Sequence, residues 1–310
     1  MSSSDPTSHP VRIDRPVDFE FMASDAWLAF HCEVYDAVAE LGLAVASIDP
    51  GVVRLRSGRS LPLLQLAQHC HTRPRDEWAE LIADHLATMT AHLDRVAETP
   101  SMFDLRIRLV PDAPVDAGTL RGLGARPFAD GIVQVLAVDV TVEGNDAVRS
   151  VPASEIVALG WDLDETWASA MAQTEVLEVP DEIHVIDIGG AEIIHVFGER
   201  PFTAGCIGVI DDVIAEYADL GEDGAIVSLP LRHSVLVHPI NDATVRGAIG
   251  GLIPITRQLF AQGPGSVSPH LYWWREGELE WIPTFFDGTI DGIEWYPSPE
   301  LAALVADLRA

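Results

Sequence analysis

Apolar residues recur at helical spacing over residues 26–41, where Trp27, Phe30, Val34, Val38 and Leu41 line one stripe and Gly42 follows, so an amphipathic helix is predicted there. Two β-like runs come next, 43–48 and 52–56, separated by the turn residues Asp49-Pro50-Gly51. The run 61–66 reads either as a strand or as the start of a helix. Trp78, Leu81, Ile82, Leu86, Met89, Leu93 and Val96 trace one face of a long helix over 76–97, which Pro100 closes. Strand-like stretches at 103–110 and 132–142 are joined by a Pro/Gly-rich connection, and the second is too continuously apolar for a strand wet on one face.

A polar patch, Glu143-Gly144-Asn145-Asp146, precedes a helical stretch over 152–176 that Gly160 is expected to break. A boundary near residue 150 is therefore expected, with a flexible tail at 1–22, an N-terminal subdomain at 23–150 and a C-terminal one at 151–310. Beyond it, two alternating runs flank Gly189-Gly190, a strong signal for a two-residue hairpin. A helix is predicted over 206–217, strands over 225–229 and 234–238, and a helix over 242–260 that Gly250, Gly251 and Pro254 should kink or split. A last hairpin turns at Glu276-Gly277, and a short helix over 299–308 ends the chain. Helices alternate with hairpins and not with single strands, so the expected class is α+β, with antiparallel or mixed sheets, packed helices and two subdomains.

Composition narrows the chemistry. The 310 residues are 48% hydrophobic and carry a formal net charge of -29. All 19 fixed cations are Arg, because the sequence has no Lys. A Walker A loop, a pyridoxal Schiff base and a kinase strand Lys are thereby excluded in their usual forms. The anionic field disfavours nucleic acid and lipid headgroups and leaves a protein partner, possibly basic, as the expected ligand. Cys32, Cys70 and Cys206 are too few and too scattered for a disulfide framework or a paired metal motif, which fits a reducing, cytoplasmic setting. No cofactor is expected, and nothing in the pattern sets an oligomeric state.

The run Ser60-Leu61-Pro62-Leu63-Leu64 leading into the 76–97 helix, the strand Leu105-Arg106-Ile107-Arg108-Leu109-Val110-Pro111, and the terminal Leu271-Tyr272 with Glu276-Gly277-Glu278-Leu279-Glu280 resemble the YtpQ-like family of uncharacterised bacterial proteins. The likeness covers residues 25–283. It implies a bacterial α+β protein and brings no activity or catalytic residues with it. The absence of Lys and the extra terminal segments depart from the family.

Candidate sites are few. Pairing across Gly189-Gly190 sets His184 opposite His195, with Cβ atoms roughly 4.5–5.5 Å apart, close enough to share a metal or to sense pH. A metal-dependent or small-molecule hydrolase would be built there. His69-Cys70-His71 is the densest group of possible ligands, but its flanks read as a solvated loop with no second ligand pair. His31, His85 and His92 lie on or beside apolar helix stripes, as boundary histidines do. Ser228, His233 and Asp242 make a triad only on paper. The acidic run 287–294 misses the EF-hand spacing, and Pro127 takes the third glycine's place after Gly122 and Gly124.

The last hairpin is the richest surface. A turn at Glu276-Gly277 pairs residue 274 with 279 and 272 with 281, placing Tyr272, Trp274, Leu279 and Trp281 on one face. The other face pairs Trp273 with Glu280 and Leu271 with Ile282. Two aromatic faces need cover on both sides, so the second, with Trp273, Leu271, Arg275 and Glu280, is the expected partner surface. The sequence therefore reads as a non-catalytic protein-binding module: an adaptor, a chaperone-like protein or a neutraliser of a basic partner.

Overall fold

A computed structural model describes residues 15–16, 19–57, 60–94, 100–112, 117–142, 145–178, 180–286 and 292–308. The chain divides into two units, 1–87 and 88–310. In the first, α1 (Ser24–Glu40) buries Trp27, Phe30, Val34 and Val38, the stripe its spacing predicts. Strands β1 (Val45–Asp49), β2 (Val52–Leu55) and β3 (Ser60–Pro62) form an antiparallel meander, and α2 (Leu64–His71) and the first part of α3 (Trp78–Asp94) follow. The ambiguous 61–66 run is thus a strand end and then a helix start. Residues 1–14 of the expected tail lie outside the described residues, whereas Phe19 and Met22 are fully buried. The Phe19 ring stands 4.7 Å from that of Trp27, and burial of an aromatic ring outweighs the freedom of a tail end.

Among the described residues the second unit holds three antiparallel sheets, of four, six and two strands, the smallest being the pair Thr284–Phe286 and Ile293–Trp295 near its end. Strand β4 (Arg106–Pro111) precedes α4 (Ala117–Leu123), β5 (Arg126–Ala129), β6 (Ile132–Val142) and β7 (Asn145–Ser150). These strands are ordered β4-β6-β5, with β7 also paired to β6. Of the polar patch, Glu143 and Gly144 lie outside the described residues, whereas Asn145 and Asp146 begin a strand; β7 completes the far half of the long β6, where no other strand pairs among the described residues. Helices α5 (Ala153–Ala158) and α6 (Leu163–Leu177) flank Gly160 as expected. Residue 150 falls inside this unit, since α6 packs on β4 and the Ile107 amide donates to Thr174 Oγ1 at 2.8 Å.

The remaining elements are β8 (Glu182–Ile188), β9 (Ala191–Phe197), a 3-10 turn (Thr203–Val209), α7 (Ile210–Ile214), β10 (Ala225–Leu231), β11 (Ser234–Pro239), α8 (Val245–Gln262), β12 (Leu271–Arg275), β13 (Glu278–Ile282), β14 (Thr284–Phe286), β15 (Ile293–Trp295) and α9 (Pro299–Asp307). Six of the strands form one antiparallel sheet, ordered β13-β12-β10-β11-β9-β8, and the class is α+β. The helix expected over 206–217 is only five residues long. Its first half tightens to 3-10 geometry where Gly205 runs against α6; a Cβ there would lie 2.7 Å from Thr174 Cγ2. Helix α8 runs through Pro254 without a break. One of its glycines serves close approach: a Cβ on Gly251 would come within 2.3 Å of Ile188 Cγ2.

Alternation sends each face of the six-stranded sheet into its own core. Val227, Val235, Tyr272 and Trp274 join Ile107, Leu136 and Trp167 on one side. Ile226, Leu236, Leu271 and Trp273 pack with α8 and α9 on the other. No helix among the described residues is long and apolar enough to cross a membrane.

Candidate functional site

Strand β13 is an edge strand, and its hairpin turns through Glu276 and Gly277, both at positive φ (50° and 83°). Such a two-residue turn makes 275 and 278 a hydrogen-bonded pair. The alternation then carries through 273–280 and 271–282, so the backbone groups of Leu279 and Trp281 point away from β12. Those groups make no hydrogen bond to another described residue.

Opposite them stands β5. Its turn is fixed by Tyr272, whose Oη donates to the Asp130 carbonyl at 2.9 Å while Ser268 Oγ, 2.7 Å away, donates to Tyr272. Gly131 leaves room for this: a Cβ there would touch His270 Cδ2 at 3.7 Å, and its φ is 81°. Between β5 and β13 lies an open groove of about 550 Å³, lined by Pro127, Phe128, Ala129 and Asp130 on one wall. The other wall curls around β13 and presents Arg275, Glu278, Leu279, Glu280 and Trp281, with Trp273 at its base. Trp281 is 37% exposed, and its ring lies 5.3 Å from that of His270. Burial, with a smaller push from Arg257, lowers the His270 pKa to about 4, so the ring is neutral at pH 7.

The expected partner face is corrected in part. The predicted register is observed pair for pair, yet Trp273 and Leu271 are only 2% and 1% exposed. Helices α8 and α9 cover them, and Trp273 Nε1 donates to the Asp223 carbonyl at 2.8 Å. Arg275 lies over the Trp273 ring at 4.4 Å and pairs with Glu300 at 2.6 Å, which raises its pKa. Its charge is therefore largely committed. Glu278 and Glu280 remain exposed at the groove rim, with Asp130 across from them. The wall formed by Pro127–Asp130 was not foreseen, because a four-residue bulged strand inside a Pro/Gly-rich connection carries no periodic signal.

His184 and His195 are cross-strand partners, as counted from the turn. Their Nε2 atoms face different neighbours: Glu182 Oε2 at 2.8 Å and Ser234 Oγ at 2.9 Å. Burial, with the neighbouring His184, lowers the His195 pKa. Among the described residues no three His, Cys, Asp or Glu side chains converge as a metal site.

His69-Cys70-His71 is the end of α2 and not a loop, because Leu64, Leu66, Ala67 and Cys70 form its buried stripe. Burial pushes the Cys70 thiol up to about 12, which leaves it a weak nucleophile. His31 is 1% exposed and held near 4 by burial, and burial likewise lowers His85. The His92 side chain and residues 287–291 of the acidic run lie outside the described residues. Ser228 Oγ bonds Thr256 Oγ1 at 2.7 Å under α8, while Asp242 caps Thr244, so the paper triad is not assembled.

Comparison with protein-family models, with curated proteins and with solved structures found no match.

Proposed function

We propose that this chain is a protein-binding module whose groove between β5 and β13 receives an Arg- or Lys-bearing segment of a basic partner protein. The observation that carries the reading is the groove itself, which joins carboxylates at its rim (Asp130, Glu278, Glu280) to aromatic rings (Phe128, Trp281). A cation over an aromatic face gains about 0.5–1 kcal/mol at an exposed site, and each exposed carboxylate adds up to about 1 kcal/mol. The free backbone groups of Leu279 and Trp281 can hold the segment's main chain. The charge of -29 draws basic partners in from a distance.

A cytoplasmic setting for the three free cysteines is part of the same proposal. Kinship with the YtpQ-like family is likewise proposed, on the three motif segments alone, and carries no activity with it.

The test is fluorescence anisotropy with a labelled Arg-rich peptide and its citrulline counterpart. The Arg peptide should bind, and the double variant Glu278→Gln/Glu280→Gln should weaken it roughly tenfold, which is about 1.4 kcal/mol. Asp211→Asn/Asp212→Asn, an equal change of charge on α7, should leave it within about twofold. Equal losses in the two double variants would sink the site and leave only a nonspecific field.

A further inference from the structure

Strand β13 ends the six-stranded sheet, so its main chain is paired on one side only. The groups of Leu279 and Trp281 that point away from β12 make no hydrogen bond to another described residue. A helical ligand satisfies its own backbone and would leave these groups to water, whereas an extended segment can pair with them. Strand β5, across the groove, is a poorer template, because Pro127 has no N–H to give. The groove thus offers one wall for main-chain pairing and one for side chains.

The register fixes what each side chain of such a segment would meet. Leu279 and Trp281 share a face of the hairpin with Trp274 and Tyr272, and Leu279 packs on the same core as Phe128 and Ala129 of β5. Glu278 and Glu280 stand on the opposite face, both exposed. Arg275 is the cation beside them, and Glu300 holds it at 2.6 Å. From 278 to 281 the edge therefore alternates strictly between acidic and apolar positions.

Residues level with one another in a sheet point to the same face, with Cβ atoms roughly 4.5–5.5 Å apart when directly opposite. A residue level with Leu279 or Trp281 would lie toward Phe128, and its neighbours would lie beside Glu278 and Glu280. Opposite charges so placed stabilise a ladder, and like charges destabilise it. A second copy of β13 is a poor occupant for that reason: its own outward groups, at 279 and 281, would have to meet those of the first, which sets carboxylate against carboxylate.

We propose that the groove takes its partner as an added strand on β13, an extended segment in which Arg or Lys alternates with apolar residues. The inference rests on the proposed role of the groove and names its occupant more closely: alternation is recognised, and not charge alone. Main-chain bonds to Leu279 and Trp281 hold the segment, its apolar residues lie against Leu279, Trp281 and Phe128, and its basic residues lie against Glu278 and Glu280.

The experiment measures binding of the full chain, by fluorescence anisotropy, to labelled peptides of one composition. An alternating valine–arginine peptide is compared with its block isomer, in which all valines precede all arginines. Two further forms of the alternating peptide carry N-methyl groups on the valine amides or on the arginine amides. The alternating peptide should bind roughly tenfold tighter than the block isomer. In an added strand every second residue turns its amide to β13 and the others turn theirs away. One methylated form should therefore lose roughly tenfold or more while the other stays within about twofold of its parent. Loss on the valine amides assigns an antiparallel strand, and loss on the arginine amides a parallel one. Methylated forms that bind alike, or a block isomer that binds as well as the alternating peptide, would overturn strand addition. The groove itself would stand in that case, provided Glu278→Gln/Glu280→Gln still weakens both peptides. If neither peptide binds, the groove falls together with the strand.

Discussion

The six-stranded sheet ends in two hairpins built alike and used differently. Both turn on two residues at positive φ, Gly189-Gly190 and Glu276-Gly277, and both leave their outer strand unpaired. Strand β8 turns Glu182, His184, Val185 and Asp187 to water while Ile183, Ile186 and Ile188 are partly buried against the cores. Strand β13 instead faces β5 across the groove, and its inner neighbour carries Trp273 and Leu271 into the core beneath α8 and α9. Local pairing therefore sets which side chains share a face, whereas chain far away in sequence decides whether that face is wet. Charges on β8 also blunt an edge that would otherwise invite other strands.

The contrast is broken most sharply at Trp273. Its ring is almost fully buried, stacks under Arg275 and donates to Asp223. Trp273→Ala should cost about 3–5 kcal/mol, through lost burial and the cavity left behind. Urea denaturation followed by far-UV circular dichroism would read it. A loss below about 1 kcal/mol would mean that the face beneath α8 and α9 is a surface after all.

Legibility follows the same division between local and distant causes. The limits of β8, β9 and β13 and every pair in their ladders could be counted from the turns, because a two-residue loop admits one register. Gly160 marked a true helix break, since its φ of 75° suits a residue without a side chain. Gly251 and Pro254 did not, because the glycine there admits Ile188 and the surrounding core holds α8 straight through the proline. Of the candidate site, Arg275 and Glu280 were found on the right strand, but their opposite wall was hidden in a connection.

A smaller effect separates the hairpins by pH. His270, beneath Trp281, has its folded pKa lowered from 6.5 to about 4 by burial. A histidine depressed in this way contributes stability that is present above pH 6.5 and lost as pH falls through 4. Over that window the loss is at most about 3 kcal/mol, and solvent contact of the half-buried ring reduces it. His270→Asn should therefore flatten the acid limb of a midpoint-against-pH curve. An acid limb unchanged by that substitution would place the titrating group elsewhere, with buried His31 the next to examine.

The smallest effect is expected at the other hairpin. His184 and Glu182 form a pair at 2.8 Å with side chains 56% and 61% exposed, and an exposed pair of this kind is worth about 0–1 kcal/mol. His184→Ala should shift stability by less than about 0.5 kcal/mol, because water replaces both partners at once. Added zinc turns the same variant into a test of the opposed histidines. If the imidazoles of His184 and His195 held a metal, zinc would raise the wild-type midpoint and not the variant's, by linkage to the folded state. The ring of His195 turns instead to Ser234, and that of His184 to its own strand, so both proteins should respond to zinc alike. A zinc increment confined to the wild type would make β8–β9 the functional hairpin and reduce the groove beside β13 to a structural seam.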